Sequence, residues 1–171
     1  GFWTAMLFIS KNYMVFSTGL FTLYVIPRFS EIYSTHDFKK EVLYIYKTIL
    51  PLFAIGMILI YVFRVFIIDL VYPGFSEMEP LFKWQLLGDF VRLSAMVLAH
   101  QFLAKKMLIN YIITEFISVI LFYIFSKILV DSYGIEGIVM AHFYRYIVYF
   151  IVVIFVLWFH FKNTKPIAPR L

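Results

Sequence analysis

No cysteine occurs in these 171 residues, which rules out disulfides and thiolate-held metal. The four histidines, His36, His100, His142 and His160, are scattered without the spacing of a metal site. Neither a metal nor a cofactor is therefore expected. Charge is scarce: Asp, Glu, Lys and Arg make up 15% of the chain, where an ordinary globular domain has about 25%. The net charge of +5 is spread over connectors or sunk in apolar runs, so no nucleic-acid partner is expected. The chain opens at Gly1 directly into a hydrophobic segment. With no basic region before that segment and no small-residue cleavage site after it, a signal peptide is not expected. The absence of an initial Met suggests a fragment.

Apolar surface is what the chain has in excess. Hydrophobic residues make up 63% and aromatics 22% of the sequence, and the mean hydropathy is +0.89. A soluble fold of this size would leave roughly a third of its surface facing water, so lipid is the expected solvent. A bilayer core of about 30 Å takes about 20 apolar residues as helix. Five windows reach that length: 2–26, 50–72, 81–104, 107–130 and 135–161. The expectation is an all-α polytopic membrane helix bundle of about five transmembrane helices, forming a single domain over 1–171. Pro27 is expected to stop the first span and Pro51 to sit in the first turn of the second. Pro73-Gly74 should close the second span, Pro80 open the third and Gly134 precede the fifth. In the connector 28–49, Phe38, Val42, Ile45 and Tyr46 recur at helical spacing. This pattern predicts a surface amphipathic helix running into the second span.

Lysines and arginines near the helix ends divide unevenly. Arg28, Lys39, Lys40, Lys47, Lys105, Lys106, Lys162, Lys165 and Arg170 fall on one side, and only Lys83 and Lys127 on the other. The second side also carries Asp69, Glu77, Glu79, Asp131 and Glu136. The basic side, with the C-terminus, is expected in the cytoplasm and Gly1 outside. A first helix that starts outside implies an odd number of spans upstream.

Six acidic or basic residues lie well inside the windows: Lys11, Arg64, Asp89, Arg92, Glu115 and Arg145. Each costs about 2.5–3.5 kcal/mol at a helix centre. Lys11, Arg92 and Arg145 lie about nine or ten residues from the outer ends, roughly 14 Å deep and close to mid-bilayer. Lys11 and Arg145 have no acidic neighbour on their own helices, which favours a functional role. Asp89 and Arg92, at i and i+3, can pair directly. Asp89 is thus a candidate for ion coupling or for a structural pair. Arg64 is expected to snorkel outward, Glu115 to satisfy a neighbouring helix, and His100 and His142 to be packing residues.

On a helical wheel, Gln85, Gly88, Asp89, Arg92, Ala95, Met96, Ala99 and His100 share one face of the third span. Leu86, Leu87, Phe90, Val91, Leu93, Ser94, Val97 and Leu98 share the opposite face, which is expected to meet lipid. Thr4, Lys11, Thr18 and Thr22 in the first span, Tyr111, Thr114, Glu115 and Ser118 in the fourth, and His142, Arg145 and Tyr149 in the fifth could complete one central polar space. A cation layer at that depth suits phosphate or pyrophosphate, whose oxygens match the guanidinium fork.

Leu81-Phe82-Lys83-Trp84-Gln85-Leu86-Leu87-Gly88-Asp89, followed by Arg92, resembles a signature of Wzx-type flippases for O-antigen and related lipid-linked oligosaccharides. These belong to the multidrug/oligosaccharidyl-lipid/polysaccharide exporter superfamily. Ile9-Ser10-Lys11 and Pro27-Arg28-Phe29-Ser30-Glu31 are similar to the family's eighth span and the connector after it. Tyr133-Gly134-Ile135-Glu136-Gly137, with Ala141-His142 and Tyr146, resembles the approach to the twelfth. The resemblance implies spans eight to twelve, the C-terminal lobe of a twelve-helix transporter working by alternating access, with an N-terminal lobe as partner. It also implies no catalysis, a bacterial inner-membrane location, and an undecaprenyl-pyrophosphate-linked oligosaccharide as cargo, for which the cation layer of Lys11, Arg92 and Arg145 is the expected binding site. Two alternatives stand beside it. One is a membrane polymerase or ligase acting on the same lipid carrier, although the external connectors are short and acidic. The other is a non-catalytic membrane subunit.

Overall fold

The structure, a computed structural model, describes residues 1–164. Six α-helices follow one another: α1 (Phe2–Glu31), α2 (Thr35–Val62), α3 (Arg64–Val71), α4 (Glu79–Ala104), α5 (Leu108–Tyr133) and α6 (Ile135–Asn163). One 3-10 turn, Ser76–Met78, leads into α4. No strand occurs among the described residues, and the chain is an all-α membrane bundle.

Four helices combine the length and apolarity needed to cross a bilayer: α2, α4 with the turn before it, α5 and α6. With 30 residues, α1 is long enough to be a fifth, but Lys11, Asn12 and a series of serines and threonines dilute its hydropathy. Those polar residues share the helix with a tightly packed stripe of Met6, Ser10, Met14, Ser17, Phe21, Val25 and Phe29, all buried and spaced by threes and fours.

The proline expectations need correction at two points. Pro27 lies inside α1, which continues to Glu31. A proline so near a helix end forfeits few backbone bonds. Past it, the last turn is pinned by buried Phe29 against Phe38, with ring centroids 5.0 Å apart. Pro51 is likewise interior to α2, because the surface helix and the span are one continuous helix. That helix starts at Ser34, whose Oγ accepts the Asp37 N–H at 3.0 Å, a side-chain N-cap. The second span is in turn interrupted at Phe63, and α3 completes it. The remaining punctuation falls where expected. Gly74 (φ +89°) turns the chain after Pro73, Pro80 sits in the first turn of α4, and Gly134 (φ +56°) alone joins α5 to α6.

At the centre of the bundle, α4 packs against α1, α2 and α6, while α5 rests mainly on α6. This overturns the expected lipid exposure of one α4 face. Leu86, Leu93, Val97 and Leu98 are buried, and Leu87, at 42% exposure, is the clearest survivor. The reason is α2, which covers that face and donates from Tyr46 Oη to the Ser94 carbonyl at 2.7 Å. Lipid is met instead by α5, with Ile109, Ile112, Phe116, Val119 and Tyr123 exposed and only Thr114 and Ser118 buried.

Contacts between helix ends sort the connectors into two groups. Phe38 stacks on Phe161 at 5.2 Å and Lys105 Nζ donates to the Ser30 carbonyl at 3.1 Å, gathering the basic ends. At the opposite pole Phe2 meets Phe75 at 5.0 Å and Trp84 Nε1 donates to Glu136 at 2.8 Å. Lys165 and Arg170 lie outside the described residues.

Candidate functional site

A cavity of about 660 Å3 opens between α1, α4 and α6, with Phe122 of α5 at its edge. Lys11, Arg92 and Arg145 all line it, so the structure brings together on three helices the cations that the sequence placed at one depth. Ser10, Thr18 and Thr22 of α1, Gln85 of α4 and His142 of α6 add polar groups.

None of the three cations has a carboxylate partner within 4.0 Å among the described residues. Arg145 is held by aromatic rings instead. Its guanidinium lies 4.4 Å from the Tyr146 ring centroid and 4.7 Å from that of Phe122, and Nη2 donates to Tyr146 Oη at 2.9 Å. Desolvated cation–π contacts of this kind are worth about 2 kcal/mol. Arg145 Nε remains buried and unpartnered. Arg92 Cζ lies 5.6 Å from the centroid of the same tyrosine ring. The result is a concentration of positive charge with no directly paired carboxylate among the described residues. At an effective dielectric near 20, a unit anion about 4 Å from one such cation gains about 4 kcal/mol.

Asp89 corrects the sequence reading. It is fully buried beside the cavity, at 0% exposure, and does not pair with Arg92. Its partners come from two other helices and from the preceding turn of its own. Ser10 Oγ donates to Oδ2 at 2.6 Å, Tyr13 Oη donates to the same oxygen, Gln85 Nε2 donates at 3.1 Å, and His142 Nε2 donates to Oδ1 at 2.8 Å. A short carboxylate in a crowded helix interface takes the donors packed against it, whereas the longer arm of Arg92 reaches past them into the cavity. His142, expected to be mere packing, is therefore the principal partner of Asp89 and part of the cavity wall. Gly88 makes this possible, since a Cβ there would stand 2.4 Å from His142 Cδ2. The clue in the sequence was Gly88 beside Asp89 on the wheel face that also carries Gln85.

The other intramembrane charges lie elsewhere. Arg64 does not snorkel free: it pairs with Glu79 at 2.6 Å and caps the Tyr61 carbonyl at 2.8 Å, near the broken end of α2. Glu115 accepts from Tyr149 Oη at 2.7 Å, as a satisfied inter-helix contact; with Tyr111, Thr114 and Ser118 these two residues lie outside the cavity lining, because this face of α5 turns onto α6.

No protein-family model matches the chain, and no solved structure matches it. Among curated proteins it is similar to the lipid III flippase of Escherichia coli (strain K12) and to that of Shigella flexneri, with 33% identity over 161 residues in each case. The match takes in 92% of this chain and 39% of each relative. The chain thus spans about two-fifths of the length of these relatives, and along nearly all of its own length it is similar to a lipid III flippase.

Proposed function

We propose that this chain is the C-terminal lobe, spans eight to twelve, of a flippase. The complete protein moves an undecaprenyl-pyrophosphate-linked oligosaccharide, an O-antigen unit or a related surface-polysaccharide unit, across the bacterial inner membrane by alternating access. The observation that carries this reading is the convergence of Lys11, Arg92 and Arg145, none with a carboxylate partner among the described residues, on one cavity. Such a layer attracts the pyrophosphate of a lipid carrier, with Arg92 and Arg145 offering planar forks and Lys11 a point charge. The similarity to lipid III flippases supports the same class of cargo and a transporter rather than an enzyme. The N-terminal lobe closes the cavity from the other side.

The test is complementation of a flippase-deficient strain by the full-length protein. Lys11→Ala or Arg145→Ala should abolish export while leaving membrane abundance near normal, and Lys11→Arg should retain more export than Lys11→Ala. Intact export in both alanine variants would sink the pyrophosphate site.

The proposed orientation, with the basic side and the C-terminus in the cytoplasm, has its own check. This segment contributes no cysteine. In intact cells a membrane-impermeant thiol reagent should therefore label Ser76→Cys and Ser132→Cys and spare Ser34→Cys. The reverse labelling pattern would invert the topology.

A further inference from the structure

A second concavity lies away from the cation-lined cavity, between α2 and α6 and above the surface of α4. It measures about 570 Å3. Its floor is apolar and buried, formed by Val42, Leu98 and Leu157, and Ile154 and Trp158 form an exposed wall. At the basic pole of the bundle α2 and α6 touch through Phe38 and Phe161, and from there the two helices part over Leu98.

Charge is confined to one end of this groove. Lys39 and Lys162 border it there, one from each helix, together with the Thr35 hydroxyl. Neither lysine makes an ion pair among the described residues. Lys162 Nζ rests 5.0 Å from the Trp158 ring, which directs the ammonium over the groove wall. The remainder of the groove, running toward the bilayer interior, presents almost no polar surface. Two free ammonium groups at the membrane surface with an apolar trough below them reproduce, in complement, the layout of an acidic glycerophospholipid: a phosphate at the interface and acyl chains beneath.

We propose that this groove is a binding site for one acidic glycerophospholipid of the adjoining leaflet. The phosphodiester sits between Lys39 and Lys162, and an acyl chain lies over Val42, Leu98 and Leu157. The lipid fills the gap that α2 and α6 leave uncovered and ties their basic ends together. Basic pockets between helix ends attract anionic headgroups for this reason. The site is separate from the cation-lined cavity and does not depend on what that cavity carries.

Native mass spectrometry of the full-length protein, delipidated and titrated with phosphatidylglycerol or phosphatidylcholine of identical chains, tests the assignment. Phosphatidylglycerol should be retained at least about fivefold more tightly, the effect of roughly one well-placed lysine or more. The double variant Lys39→Gln/Lys162→Gln should lose that preference. Lys40→Gln/Lys47→Gln, which removes the same charge outside the groove, should keep it. Equal loss in both double variants would reduce the effect to general surface charge and overturn the site, as would the absence of any preference in the unmodified protein. A photo-crosslinking residue at Ile154 should capture phospholipid. Capture of a polyprenyl lipid or of another helix of the protein instead would also refute the proposal.

Discussion

Asp89→Ala is expected to lower the stability of the full-length protein by about 3–5 kcal/mol, since each buried donor that loses its acceptor costs about 1–3 kcal/mol. Four donors from three helices converge on this carboxylate: Ser10, Tyr13, Gln85 and His142. Alanine would take the shared acceptor from all four at once, inside the interface of α1, α4 and α6. Membrane abundance by immunoblot and the thermal midpoint in detergent should both fall sharply. Asp89→Asn keeps a side-chain oxygen for part of the network and should lose clearly less. Arg92→Ala supplies the contrast. Because Arg92 is not the partner of Asp89, its loss should leave abundance and midpoint near those of the unmodified protein. Wild-type stability of Asp89→Ala, or a collapse of Arg92→Ala, would show that the network is not the joint holding α1, α4 and α6.

Gly137→Ala should be at least as damaging, for a steric reason. A Cβ at Gly137 would stand 2.4 Å from the carbonyl oxygen of Leu129 and 2.8 Å from the amide nitrogen of Val130. Both are backbone atoms of α5, so no rotamer change relieves the clash and the two helices must separate. With Gly134 as their whole connection, there is little slack to absorb the shift. Overpacking commonly costs about 1–3 kcal/mol, and a backbone clash in so short a hairpin belongs at or above the upper end. Gly88→Ala meets chiefly the His142 side chain, at 2.4 Å. It should be milder for stability but should pull His142 away from Asp89. Gly19→Ala and Gly56→Ala face nothing within 4 Å and should be neutral or slightly stabilising, because alanine is the better helix former. The full-length variants compared by thermal melting in one detergent would rank them. A Gly137→Ala protein as stable as Gly19→Ala would contradict the close approach of α5 and α6.

Hydropathy and punctuation made much of this fold readable in advance. Apolar runs of span length, the break at Pro73-Gly74, the opening at Pro80 and the turn at Gly134 are local properties, and each has its counterpart in the structure. Local rules misjudged Pro27 and Pro51, because a helix continues past proline when packing on the far side repays the lost bond. For Pro27 that packing is Phe29 on Phe38. The wheel for α4 correctly grouped Gln85, Asp89 and Arg92, yet it described one helix in isolation. It could not show that α2 would pack on that helix at Ser94, nor that α6 would bring His142 to Asp89. Shared depth did anticipate that Lys11, Arg92 and Arg145 would meet, since depth in a bilayer is counted along each helix separately and needs no knowledge of its neighbours.

The aromatic seat of Arg145 has a kinetic consequence for the proposed anion site. A carboxylate neighbour would be a resident competitor: every incoming anion would have to displace it, and every departing one would be pushed out as it returned. Tyr146 and Phe122 fix the guanidinium without competing for its charge. Occupancy of the proposed site would then be governed by how much anion is present and how fast it can leave, rather than by an exchange between two negative groups.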